Sequence, residues 1–219
     1  MGALLSVAGL LDGIARWIGK TIGWIMIPLI LVIIFDVITR KIDFTRLLFA
    51  EYTAASGYSV STILQDLQWH FHAALLMLTF GFGYLANAHV RVDVFRELLS
   101  RRPQAWIEIC GLIFFGFPFV VLMIFYAYQM TELSFHQGEG SESMTGIGQR
   151  WFIKSFMLWG FIVTMMAILA TLFRLIAYLF GDQDAQDEAQ EGLEIFADAN
   201  DELEEARRLA EEALKRGGD

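Results

Sequence analysis

Four histidines are the first residues whose type suggests chemistry, because paired imidazoles inside a membrane helix bundle can hold haem b. His70 and His89 lie on one apolar stretch, about 28 Å apart at 1.5 Å per residue. His72 follows His70 by two positions and points to a different helix face, while His136 falls in a segment rich in Gly, Ser and Glu. Two axial ligands must converge on a haem from opposite sides, normally from separate helices, so this spacing argues against haem. Asp36, Glu108, Glu132 and Arg174 fall toward the ends of apolar stretches, not at their centres. Ionisable groups at bilayer mid-depth mark ion and proton pathways; at the edges they read as interfacial anchors or ion pairs. Cys110 is the single cysteine, which excludes an internal disulfide and leaves a small packing residue. No residue is assigned to catalysis, to a cofactor or to a metal.

The elements that position these residues are set by hydropathy. The chain has 219 residues, 56% of them apolar, with a mean hydropathy of +0.49. Four stretches, 21–39, 69–88, 106–130 and 155–173, are long and apolar enough to span a bilayer as helices. Alternation of period two is absent from all four, so barrel strands are not expected. The fold class is therefore all-α, an integral membrane bundle of four transmembrane helices over 21–181. Residues 1–20 place Leu4, Ala8, Leu11, Ile14 and Ile18 on one helical face and Asp12, Arg16 and Lys20 on another. That pattern predicts an amphipathic interfacial helix. Pro28 and Pro118 fall inside spans and predict local disturbance of the helix. Ala73, Ala74, Gly81, Gly83 and Ala86 on the second span, with Gly111 and Gly116 on the third, are small residues of the kind that let helices approach closely in lipid.

The net charge of −9 belongs to the C-terminus. From Asp182 onward there are 14 acidic and 4 basic residues, leaving 11 acidic and 12 basic in the rest of the chain. Residues 182–219 read as an acidic tail, with a terminal helix supported by the pairs Glu204–Arg208, Glu211–Lys215 and Glu212–Arg216. The loop holding Arg91, Arg96, Arg101 and Arg102 is the most basic, and placing it in the cytoplasm puts both termini there too. Seven basic residues then lie inside and five outside. The first outer loop mixes Leu47, Leu48, Phe49 and Tyr52 with Ser and Thr, as an interfacial segment would.

The ordered motifs Gln68-Trp69-His70, Asn87-Ala88-His89-Val90-Arg91-Val92-Asp93, Glu132-Leu133-Ser134 and Arg150-Trp151-Phe152-Ile153-Lys154, followed by Gly160, carry a resemblance. Over roughly 21–180 the chain resembles the small membrane subunit of tripartite ATP-independent periplasmic (TRAP) transporters. Leu158, where the family often has proline, and the acidic tail depart from the family pattern. The resemblance implies a non-enzymatic scaffold for a large membrane subunit, which itself holds the sodium and substrate sites. It implies sodium-coupled uptake of an organic acid delivered by a periplasmic binding protein, across the bacterial inner membrane. The expected partners are that large subunit, the binding protein and the lipid bilayer, with no nucleic acid. Trp69, His70, His89, Arg91, Asp93, Glu132, Ser134, Trp151, Lys154 and Gly160 become structural or partner-contact candidates. Arg91 and Asp93 would pair at the inner interface, Trp69, Trp151 and Lys154 would anchor outer ends, and Glu132 with Ser134 would cap the third span or reach Lys154. The competing reading is a haem-bearing membrane anchor of a redox enzyme.

Overall fold

The computed structural model describes residues 1–88 and 99–193. His89, Arg91 and Asp93 lie outside the described residues, as does the expected terminal helix. The described residues form helices and loops without strands: α1 (Gly2–Ile22), α2 (Met26–Lys41), α3 (Asp43–Ser56), α4 (Val60–Leu85), α5 (Arg101–Gly111), α6 (Phe117–His136), α7 (Arg150–Phe180) and α8 (Gln183–Glu191).

Residues 1–20 do not stand apart from the first span. A single 3-10 turn, Gly23–Ile25, joins α1 to α2, giving one helical run over Gly2–Lys41. Pro28 lacks the N–H that would bond the Trp24 carbonyl, and the ladder tightens at that carbonyl. Pro118 acts likewise on the Phe114 carbonyl, which lies in a π turn, Leu112–Gly116, between α5 and α6. Both prolines thus shift the hydrogen-bond register without ending the helix. Ser59 caps α4 by accepting from the Thr62 N–H at 3.4 Å, so α4 begins nine residues before the expected span. Gly57, at φ +78°, closes α3.

Three helical runs are long and apolar enough to cross a membrane: Gly2–Lys41, Arg101–His136 and Arg150–Phe180. Helix α4 has 26 residues, about 39 Å at 1.5 Å per residue, but its first half carries Gln65, Asp66, Gln68, His70 and His72. The all-helical membrane architecture expected from the sequence is therefore present, with three qualifying helices among the described residues, not four.

Helix α7 is the axis of the bundle, packed against α4, α6, α1 and α8. The inward residues of α7 are mostly small: Gly160, Val163, Thr164, Ala167, Ala170, Thr171 and Ala177. The run α1–α2 is antiparallel to α4, with Gly19 opposite Phe82 and Asp36 opposite Gln68. Helices α4 and α7 run parallel, and here backbones nearly touch. A methyl added at Gly160 would lie 2.6 Å from the Met77 carbonyl oxygen, and one at Gly81 would lie 2.8 Å from that of Val163. The two glycines are one contact seen from both sides. Bulky apolar residues take the opposite surfaces, with Trp24, Leu31, Phe114, Phe115 and Phe119 all exposed, as hydrocarbon favours.

Gly160→Val is expected to overpack this crossing and destabilise the fold by about 1–3 kcal/mol, read as a lower apparent Tm in detergent. Gly111→Ala, where nothing lies within 4 Å of an added methyl, should melt like the wild type.

Candidate functional site

Charged residues are absent from 21–35, 73–88, 109–131 and 155–173, so the polar chemistry of this bundle collects toward its two ends. At the end holding the N-terminus, Asp12 meets two guanidinium groups. Arg16, one turn along α1, approaches Asp12 Oδ2 at 3.0 Å, and Arg174 of α7 approaches Oδ1 at 3.0 Å. Arg16 also donates to the Leu85 carbonyl at 3.4 Å, tying in the end of α4. Asp12 is buried, which turns the face of α1 relative to the sequence reading. The inward row is Leu5, Ala8, Asp12, Ala15 and Gly19, while Leu10 and Trp17 stay exposed. Arg174, read from its place at the edge of a span as an interfacial anchor or ion-pair member, is 13% exposed and paired.

At the opposite end, three clasps join the helices. Asp36 is buried and takes a two-pronged contact from Arg40, Nε to Oδ1 and Nη2 to Oδ2, both at 2.9 Å. Gln68 of α4 donates to the same carboxylate at 3.1 Å. Asp66 accepts from the Ile147 N–H at 2.8 Å, and the Ser59 N–H donates to the Thr145 carbonyl at 2.9 Å. These two bonds fold the α6–α7 loop over the start of α4.

The third clasp is centred on Glu139. Ser134, almost wholly buried, donates to Glu139 Oε2 at 2.6 Å, and Lys154 Nζ donates to that same oxygen. The backbone follows the side chains: the Glu139 N–H bonds the Ser134 carbonyl at 3.2 Å, and the Arg150 N–H bonds the Glu139 carbonyl at 2.9 Å. The Lys154 contact first, and the Ser134 hydroxyl second, hold the Glu139 carboxyl below its ordinary range. Arg150 reaches Glu142 at 3.2 Å.

The expected site residues therefore divide. Ser134, Trp151 and Lys154 come together around this loop; the Trp151 indole N–H donates to Gln149 Oε1 at 2.6 Å and its ring meets Phe135 edge-on at 5.4 Å. Glu132 is not the partner of Lys154: it points outward, 4.0 Å from His136. Trp69 is 74% exposed on α4. His70 is bonded through Nδ1 to the Asp66 carbonyl oxygen at 2.5 Å. It lines an apolar groove of about 620 Å³ with Ile25, Phe71, Trp151 and Phe156. Gly160 serves the α4–α7 crossing, away from both ends. Glu139, Asp66 and the inward turn of Asp12 were not identified from sequence. Among the described residues, no group of three or more His, Cys, Asp or Glu side chains could hold a metal ion.

Asp12→Ala leaves Arg174 buried without its partner and is expected to cost about 3 kcal/mol. Adding Arg174→Met should restore most of that loss in a double-mutant cycle of melting. For Glu139 the favoured native form is the carboxylate. Its contribution is complete above the ordinary carboxylate range and is lost as pH falls through the lowered native value. Wild-type Tm should therefore drop on that acid limb, whereas Glu139→Gln should start about 2–4 °C lower at neutral pH and show a shallower limb.

No curated protein and no solved structure matches the chain. The family model described as tripartite ATP-independent periplasmic transporters, DctQ component, matches residues 29–177. The match runs from Leu29 in α2 almost to the end of α7. It takes in the glycine crossing and all three clasps of the loop end, and begins after Asp12. With more than half of its length inside that match, the chain belongs to the DctQ family, the small permease component of TRAP transporters.

Proposed function

We propose that this protein is the stationary scaffold of a sodium-coupled organic-acid importer, with transport itself carried out by a large membrane subunit. The family is a transporter component, not an enzyme, and it leaves the haem-anchor alternative without support. The observation that carries the scaffold reading is the closed middle of the bundle. Where a transporter places broken helices and polar ligands at mid-depth, this chain has the backbone contacts of Gly81 and Gly160 and no charged residue on α7 over 155–173. A scaffold needs stiffness there and exposed apolar faces on its flanks, and α2 and α6 provide those faces.

In this reading α4 is the fourth span, stabilised in the bilayer by the clasps at its polar start. The bundle sits in a bacterial inner membrane with both termini in the cytoplasm, following the arginines between α4 and α5. The loop end then faces the periplasm, where a binding protein delivers substrate. His89, Arg91 and Asp93, which follow α4 in the sequence, serve assembly in this reading.

Co-expression with the large subunit should yield a stable complex whose uptake requires sodium and the binding protein. Gly160→Val and Arg91→Ala should lower the amount of complex while leaving the substrate affinity of the remaining complex unchanged. Full uptake without this chain would overturn the proposal.

A further inference from the structure

Between the end of α2, the helix α3 and the start of α4 lies a cavity of about 320 Å³. Beside Phe49 and Ala50, it is lined by Arg40, Arg46, Thr39, Thr53, Ser59 and Ser61, which bring two guanidinium groups and four hydroxyls. Ser59 is the N-cap of α4, so the first turn of a 26-residue helix opens on this space. The Val60 and Ser61 N–H groups of that turn have no acceptor within the helix, and the helix dipole adds partial positive charge there. The two arginines differ. Arg40 is held by its two-pronged contact with buried Asp36 and forms one wall. Arg46 is bound only to Asp43 among the described residues, in a pair with side chains 68% and 84% exposed, and water-screened pairs of this kind exchange readily.

We infer that this cavity binds a phosphate-class oxyanion, one group at a time, with Arg46 turning from Asp43 to meet it. Arg46 supplies a forked donor matched to phosphate oxygens, the Ser61 N–H supplies the helix-terminus contact, and the Ser61 hydroxyl a further donor. Asp43, at the rim, competes for Arg46 and keeps the site weak unless the anion is held nearby. Helix α3 offers the means of holding it. Phe44, Leu47, Leu48 and Tyr52 are exposed along one face of α3, at the spacing of a helix lying in the membrane surface. The cavity then opens at headgroup depth, and the phosphodiester of an anionic phospholipid is the source that fits; dissolved phosphate offers the same chemistry without the anchorage.

Native mass spectrometry of the delipidated protein in neutral detergent tests this with three probes: dioleoyl phosphatidylglycerol, dioleoylglycerol and inorganic phosphate. The expected result is one saturable phosphatidylglycerol adduct, not formed with dioleoylglycerol and displaced only by a large excess of phosphate. Arg46→Gln should weaken it about tenfold, and Arg102→Gln, at the other end of the bundle, should not. Ser61→Asp is the decisive variant. An acid in the first turn stabilises α4 while repelling the anion, so Tm should hold or rise as the adduct disappears. Displacement by phosphate at concentrations matching the lipid would keep the site and assign it to dissolved anions. Equal binding of dioleoylglycerol, or undiminished binding by Arg46→Gln and Ser61→Asp, would overturn the inference.

Discussion

The backbone-to-backbone approach of α4 and α7 is the constraint on which the rest of this bundle depends. Helices in lipid gain nothing from hiding apolar surface from one another, because lipid chains are as apolar as leucine. What remains is close packing, and it grows as side chains shrink. Gly81 and Gly160 bring two carbonyls inside the distance any side chain would occupy. Once those helices are in contact, Val163 and Ala167 of α7 meet Ala15 of α1 and Leu85 of α4 in one cluster. On the other side, Ile168 and Leu175 join Ile109, Leu112 and Val120. The large side chains are displaced outward, which leaves apolar flanks for lipid or a partner subunit.

Much of this was legible in the sequence, because run length and small-residue content are properties of composition. Three of the four expected spans correspond to helices apolar enough to cross a membrane, and Gly81, Ser134, Lys154 and Gly160 lie at contacts that hold the fold. The face of α1 was not legible. Leu4, Ala8, Leu11, Ile14 and Ile18 read as the apolar face of a helix lying at the membrane surface, whereas here Leu5, Ala8, Asp12, Ala15 and Gly19 turn in against the bundle. Lys154 had three acids close before it in the sequence, Glu132, Glu139 and Glu142. The choice was made by Gly138, at φ +61°, which reverses the chain just before Glu139. An acid set between two glycines was the signal available. The polar start of α4 was obscured for a different reason: a hydropathy window stops where polar residues begin, while the helix continues to its Ser59 cap.

The two ends are held by different chemistry. At the loop end, neighbouring helices are joined by bonds to a loop and to backbone N–H groups, spread over Asp36, Asp66 and Glu139. At the other end, among the described residues, one buried carboxylate, Asp12, meets both Arg16 and Arg174. The family match covers the distributed end and starts after Asp12, so Asp12 and Arg16 lie outside it while their partner Arg174 lies within it.

The parallel course of α4 and α7 has a consequence for how the protein is made. Parallel neighbours cannot be joined by a short turn, so Met77 must wait until residue 160 has been synthesised before its carbonyl finds the glycine opposite it. During that interval α1, α2 and α4 can pair as an antiparallel hairpin, but the small-residue face of α4 has no mate. The last of the three membrane-length helices among the described residues is thus the one around which the others close. Assembly of the bundle is timed by α7, and a nascent chain halted before it would present an open seam in the membrane.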